Sequence, residues 1–297
     1  MIVRWGLKEL PPVLRDSGIG RPLLVASPRW DGLLEVSDRW SEIPSHRIEV
    51  LAGVDGILAV GGGSAIDTAK AASASSALPL VSVPTTYSGS EWTAFFGVRS
   101  PDRRQVGGGS GARLAGIVYE PELTLDLPRA ESGGTAMNAL AHCVEALYVS
   151  DSQEAKDGAA LIDEWLPRVL ENGNDLEART RLLEGAMHAG IALRDHGLYL
   201  GHAMAQALGG RYGLPHGALN AVCLPAAMRF NGASEPLPVE RVEELARLAG
   251  FTRLRDLGVP REELPLVAEA VAARPGARAN PRHATPANIL ELLASVW

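Results

Sequence analysis

An α/β unit followed by an all-helical unit is the fold class this sequence predicts, and three features carry the prediction. Short apolar runs that stop abruptly at glycine, serine or proline recur up to Pro128, as buried parallel strands do. From Ala130 onward the apolar residues recur at helical spacing in long alanine- and leucine-rich stretches. The change of pattern near Leu127-Pro128 places the domain boundary between residues 129 and 130. A chain of 297 residues, 46% hydrophobic and 21% charged, is long enough to fill two cores.

Ile2–Trp5 reads as a first strand, and Leu7 to Gly18 as a helix with Leu7, Leu10 and Leu14 on one face. Arg21–Ser27 (R-P-L-L-V-A-S) is a second buried strand, followed by Pro28-Arg29. Asp31–Trp40 is read as a helix. Ser41–Gly53 is ambiguous, because Ser45 as N-cap with Ile48, Leu51 and Ala52 suggests helical turns while Ile48 and Val50 alternate as in a strand; the helix is preferred. Val54–Val60 is a strand that runs into three glycines, and a helix follows. Leu80–Pro84 is the next strand, Phe95–Ser100 and Ala115–Tyr119 are two more, and the run Gly107–Gly111 is read as a flexible link between them. Helices are then expected over Gly134–Ser150, Glu154–Asn172, Leu176–Arg194, Gly201–Gly209, Ala218–Phe230 and Pro238–Gly250.

Two stretches in the first half suit a nucleotide. In A-V-G-G-G-S-A-I-D-T-A-K, Gly61, Gly62 and Gly63 let the backbone approach a ligand closely, and Ser64 and Asp67 open a helix whose free N–H groups favour an anion such as a pyrophosphate; Lys70 closes the motif. A tight strand-to-helix connection would look the same, and G-G-G-S is not G-x-G-x-x-G. The second stretch, T-T-Y-S-G-S-E-W-T, puts Thr85, Thr86 and Ser90 in a hydroxyl-rich loop at a strand end, suited to phosphate, ribose or an amide. Ser27 and Arg29 follow the second strand without an acidic residue, which leaves both NAD(H) and NADP(H) open.

Composition narrows the partners. A net charge of -7 argues against nucleic acid or an anionic membrane and favours a small molecule. The two cysteines, Cys143 and Cys223, lie far apart in apolar surroundings and are expected reduced and buried. The amino-terminal residues lack a signal-peptide layout and no run approaches a membrane span, so a cytoplasmic protein is expected.

His142 follows Asn138 by four positions on one helix face, His202 opens G-H-A-M-A-Q-A-L-G-G, and His216 stands in L-P-H-G-A-L-N-A. A single histidine in an apolar helix is usually structural. Three converging imidazoles would bind a divalent metal or polarise a carbonyl and supply a proton. His46, His188 and His283 lack such settings; His196, in R-D-H-G-L-Y-L-G-H, is a possible pocket residue.

Taken together, G-G-G-S-A-I-D-T-A-K, V-P-T-T-Y-S-G-S-E, Y-E-P-E-L-T-L-D-L-P, M-N-A-L-A-H-C-V-E-A-L-Y and L-P-H-G-A-L-N-A resemble the iron-containing alcohol dehydrogenase superfamily, which includes maleylacetate reductases. The resemblance implies a dehydroquinate synthase-like fold, with an α/β dinucleotide-binding domain over 1–129 and a helical catalytic domain over 130–297. It implies NAD(H) or NADP(H) held by Gly61, Gly62, Gly63, Ser64, Asp67, Lys70, Thr85, Thr86 and Ser90, with Ser27 nearby, and a homodimer. Family metal ligands are an aspartate and three histidines; His142, His202 and His216 match the histidines, and Asn138 stands in place of the aspartate. Gln206 stands where metal-dependent members carry a further histidine. Asn138, the T-T-Y-S-G-S-E loop and the N-P-R tail resemble the maleylacetate reductase branch, whereas H-A-M-A-Q-A-L-G-G is closer to the metal-dependent branch. The expectation is an NAD(P)H-dependent reductase of a small oxo-acid or enone, without a tightly bound metal, in which His142, His202 and His216 are catalytic. The alternatives are an alcohol dehydrogenase holding Fe or Zn on Asn138, His142, His202 and His216, and a catalytically inactive nucleotide-binding member.

Overall fold

The computed structural model describes residues 1–34, 36, 38–45, 48, 50, 52–101 and 104–297, which form two compact units, Met1–Leu125 and Asp126–Trp297. In the first unit the chain runs β1 (Ile2–Trp5), α1 (Leu10–Asp16), β2 (Pro22–Ala26), β3 (Asp38–Trp40), β4 (Gly56–Gly61), α2 (Gly63–Ser76), β5 (Pro79–Pro84), β6 (Phe96–Arg99), β7 (Gln105–Gly109) and β8 (Arg113–Tyr119). Six of these strands form one sheet in the order β1-β8-β5-β4-β2-β3, with every pair parallel.

The continuous apolar runs are explained by burial on both faces. Side chains alternate across the pleat, so Leu24, Leu58 and Val60 join Leu10 and Val13 of α1 in one core. Leu23, Val25, Ile57 and Ala59 join Ile66 and Ala69 of α2 in the other. Parallel pairing also brings the carboxyl ends of β2, β4 and β5 to one edge, where Ala26 is level with Val60 and Gly61 with Pro84. Ser27, the glycine turn and the Thr85–Ser90 loop therefore share that edge. In open α/β sheets this is the ligand side.

Three sequence expectations change. Asp31–Trp40 is not a helix; it ends in β3, paired with β2 through Leu24 and Arg39. Ser41–Gly53 lies partly outside the described residues, and the residues described there hold no helix. Gly107–Gly109 is not a link but part of β7, paired antiparallel with β6. There a Cβ on Gly109 would sit 2.9 Å from the Phe96 ring, so the glycine makes room for an aromatic partner that a local reading cannot see.

The second unit consists of α3 (Arg129–Ala146), α4 (Gln153–Glu171), α5 (Leu176–His196), α6 (Leu200–Tyr212), α7 (His216–Asn231), α8 (Val239–Leu248), α9 (Leu264–Ala272), α10 (Pro275–Arg278) and α11 (Pro286–Ser295). Ser152 and Asp175 cap α4 and α5 by accepting from Ala155 N and Ala178 N. Leu127 is tied into this unit, because its carbonyl accepts from Ser132 Oγ and from the buried Arg179 guanidinium. The units accordingly divide after Leu125, earlier than the composition change suggests.

α3 is buried along nearly its whole length and packs on α4, α5 and α7. Its approach to α7 needs glycine: a Cβ on Gly217 would lie 2.3 Å from the Gly134 carbonyl oxygen. That close contact fixes which side chains of the two helices face one another. The N-P-R tail is a clamp on the end of α7, where Arg282 donates to the Phe230 carbonyl (2.6 Å) and Asn280 to Asn231 Oδ1 (2.7 Å). Both cysteines are buried and unpaired, and burial pushes the Cys143 and Cys223 thiols up, Cys223 to about 12. Among the described residues no helix is long and apolar enough to cross a membrane.

Candidate active site

At the ligand edge of the first unit, Gly61 has φ 149° and Gly62 lies against the next loop, where a Cβ would come within 2.7 Å of Thr86 Cγ2. No side chain caps α2; Ala65 N and Ile66 N donate back to the Gly62 carbonyl (3.0 and 3.1 Å), so the helix begins directly on the glycine turn. Thr86 Oγ1 is buried beside the glycines with no hydrogen-bond partner among the described residues. A cradle that any Cβ would fill, with an orphaned hydroxyl at its wall, fits the phosphates of a dinucleotide. Ser64 is exposed at the start of α2, and Ser27 lies half-buried at the end of β2. Thr85 is buried, its amide donating to the Gly61 carbonyl (3.0 Å), so it braces the turn.

Asp67, Lys70 and Ser90 bond to one another. Lys70 Nζ donates to Ser90 Oγ (2.9 Å), Phe95 O (2.9 Å), Thr93 Oγ1 (3.1 Å) and Asp67 Oδ1 (3.3 Å), and Ser90 Oγ donates to Asp67 Oδ1 (2.7 Å). Burial pulls the Lys70 ammonium down, opposed by Asp67 and Glu91. Lys70 thus ties α2 to the hydroxyl-rich loop and β6 instead of reaching out to a phosphate. Lys70→Met should free that loop and weaken NADH binding about tenfold, the equivalent of one lost charge-assisted bond, as read by fluorescence titration. Unchanged affinity would remove its positioning role.

In the second unit α3 supplies Asn138, His142 and Glu145 from one face, α6 supplies His202, and α7 supplies His216 and Asn220. The ring centroids of His142 and His202 are 4.7 Å apart and those of His202 and His216 5.7 Å, so the three histidines predicted from sequence do come together. His196 ends α5, His188 pairs with Glu154, His283 is exposed in the tail, and His46 lies outside the described residues.

Glu145 was not singled out from sequence. It is fully buried and accepts three bonds, from Tyr199 N (2.7 Å), His202 N (3.0 Å) and His202 Nδ1 (2.8 Å). Tyr199 precedes α6 without capping it through its own side chain, so a carboxylate from α3 supplies the missing cap. The same carboxylate fixes the His202 tautomer with hydrogen on Nδ1 and leaves Nε2 toward the cluster. Its signal in the sequence was a lone acid in the apolar run C-V-E-A-L, three residues after His142.

Asn220 Nδ2 donates to Asn138 Oδ1 (2.6 Å) and to His216 Nε2 (3.0 Å), two acceptors that orient the amide. His142 Nδ1, His202 Nε2 and Asn220 Oδ1 are buried without a hydrogen-bond partner among the described residues. Such concentrated unmet polarity marks a place for a polar ligand.

The same donors do not fit a tightly held divalent metal. None of Asn138, His142, His202 and His216 brings a negative charge, and Asn220 already engages Asn138 Oδ1 and His216 Nε2. The His142 and His202 rings are stacked with only 15° between their planes, so their lone pairs do not converge on one point. Among the described residues no group of His, Cys, Asp and Glu is arranged to hold a metal.

Burial, with the neighbouring His202 and His216 adding to it, holds His142 well below its usual 6.5, in the neutral form. Below pH 6.5 the unfolded chain takes up a proton that the folded chain refuses. Stability should therefore fall with decreasing pH, by up to about 1.4 kcal/mol per pH unit from this group. Urea midpoints between pH 5 and 7 should lose part of that slope in His142→Phe, and an unaltered slope would count against a neutral His142.

Residues 48–118 match the family described as iron-containing alcohol dehydrogenase, and residues 133–252 the C-terminal part of the Fe-containing alcohol dehydrogenase family. A maleylacetate reductase from Pseudomonas knackmussii is 34% identical over 98% of this chain and 93% of its own. The crystal structure of maleylacetate reductase from Agrobacterium tumefaciens aligns with TM-score 0.86 and 27% identity over 100% of this chain and 95% of that one. An iron-containing alcohol dehydrogenase from Corynebacterium glutamicum aligns with TM-score 0.86 and 26% identity, covering 100% and 94%.

Proposed function

This chain belongs to the iron-containing alcohol dehydrogenase family and is an NAD(P)-dependent oxidoreductase, and from that premise we propose that it reduces maleylacetate or a closely similar oxo-acid or enone without a tightly bound metal. The observation that carries the reading is His202, its Nδ1 held by Glu145 and its Nε2 buried without a partner among neutral histidine and amide groups.

When bound, the nicotinamide supplies the hydride. The Gly61–Ser64 turn and Thr86 bind the dinucleotide, and Thr85, Asp67, Lys70 and Ser90 hold the turn and loop in place, with Ser27 on the same edge. In the helical unit, His142 donates a hydrogen bond from Nδ1 to the acceptor oxygen. His202 gives up a proton from Nε2 as the new C–H bond forms, and Glu145 stabilises the imidazolium that precedes the transfer. His216, held by Asn220, closes the other side of the cluster. Hydride and proton together account for the two hydrogens the product gains. We extend the reading to a homodimer working in the cytoplasm on a small molecule; light scattering tests the dimer.

The test is oxidation of NADH and NADPH with maleylacetate and with simple aldehydes, beside elemental analysis of protein purified without chelator. Maleylacetate-dependent oxidation that survives EDTA is expected. Stoichiometric metal with EDTA-sensitive aldehyde reduction would overturn the reading in favour of an alcohol dehydrogenase, and inactivity with both acceptor classes in favour of a nucleotide-binding protein without turnover.

A further inference from the structure

Arg274 precedes α10 and reaches back to α6, where Nη1 donates to Gln206 Oε1 (3.3 Å) and Nη2 to the Gln206 carbonyl (3.1 Å). Both acceptors are neutral, and no carboxylate pairs with this guanidinium among the described residues. The half-buried Arg241 of the same unit, by comparison, is answered by an acid, Asp163. A guanidinium drawn in from solvent without a counterion is a cost that a bound anion would offset.

Its position gives the anion a purpose. Gln206 follows His202 by four residues on α6, so the two side chains share a face one turn apart, about 6 Å along the axis. α10 is pressed onto the start of the same helix, since a Cβ on Gly276 would come within 2.8 Å of Tyr199 O. Gln206 fixes one side of the guanidinium and leaves Nε–H and the outer N–H groups to form the fork that matches a carboxylate. A turn of helix is also the span of a chain of about four or five carbons, the distance in an oxo-acid between the carbonyl and a terminal carboxylate.

We propose that Arg274 is the carboxylate anchor of the acceptor site: oriented by Gln206 one turn from His202, it pairs with a terminal carboxylate of the substrate and selects oxo-acids over neutral aldehydes and ketones. The proposal rests on the oxo-acid reading of His202 above.

Two measurements separate the failures of the two ideas. Succinate, a saturated dicarboxylate that cannot be reduced, is titrated calorimetrically into the full chain and into Arg274→Gln and Arg274→Lys, with melting temperatures checking the fold. Wild type should bind it, Arg274→Gln about thirtyfold more weakly, and Arg274→Lys in between. No binding by wild type, or equal binding by all three, overturns the anchor. In parallel, Arg274→Gln should raise KM for maleylacetate by a similar factor with kcat and NADH affinity little changed, while kcat/KM for the neutral dimethyl ester stays at the wild-type value. A proportional loss with the ester would make Arg274 merely structural and overturn the proposal. Arg274-dependent succinate binding without any oxo-acid turnover would leave the anchor standing and overturn the assigned reaction alone.

Discussion

Glu145→Gln is expected to lower kcat for oxo-acid reduction by about a hundredfold, and His202→Ala by about a thousandfold, both with NADH affinity retained. Glu145 meets three N–H donors with two acceptor oxygens. A glutamine has one acceptor and one NH2 group, so at least one of those N–H groups would face another donor. If the amide oxygen keeps Tyr199 N and His202 Nδ1, its NH2 opposes His202 N and loosens the first turn of α6. If it turns the other way, the imidazole loses the partner that fixes its tautomer. Either way Nε2 is no longer held in place, and the charge that stabilised the imidazolium is gone. His202→Ala removes the donor itself, and added imidazole should restore part of its rate. Wild-type turnover in Glu145→Gln would detach the carboxylate from the chemistry. Loss of nucleotide affinity in His202→Ala equal to the loss of turnover would place that histidine with the cofactor instead of the acceptor.

The sequence made the repeating parts of the fold legible because their signals are local. The strand from Gly56 to Gly61 announces itself by an apolar run ending in glycines, and the helices from α3 to α8 by spacing and end residues. Features that depend on a distant partner were not legible. β7 resembles a linker until Phe96 is seen across from Gly109, and Lys70 resembles a phosphate ligand until its acceptors on Ser90, Thr93 and Phe95 appear. Asn138 and the three histidines could be read from motif and spacing. Asn220 could not, because its importance lies in a bond to Asn138 from a different helix. Arg274 belongs to no motif of the sequence and acquires meaning only when α10 is laid on α6.

Asn138→Asp should turn the histidine cluster into a metal site, with affinity for Zn²⁺ rising on the order of a hundredfold over wild type. The exchange is nearly isosteric and keeps the acceptor that Asn220 Nδ2 uses, so the α3 to α7 contact survives. It removes the Nδ2 donor that lies 3.5 Å from His142 Nε2 and leaves that nitrogen free to turn toward a cation. It also places a negative charge among three imidazoles, in a cluster where Asn138, His142 and His202 are each no more than 5% exposed. A divalent ion gains most from such a charge where water is excluded, and the stacked His142 and His202 rings would have to part to accept it. Metal content after dialysis and a competition titration with a chromogenic chelator measure the gain. Metal-free oxo-acid reduction should fall in the same variant, because the new carboxylate competes with the substrate oxygen for the His142 and His202 protons. Equal and weak metal binding by both proteins would mean that the missing charge at residue 138 is not what sets this cluster apart. Tight binding already present in wild type would mean that the Asn220 bridge yields to a metal.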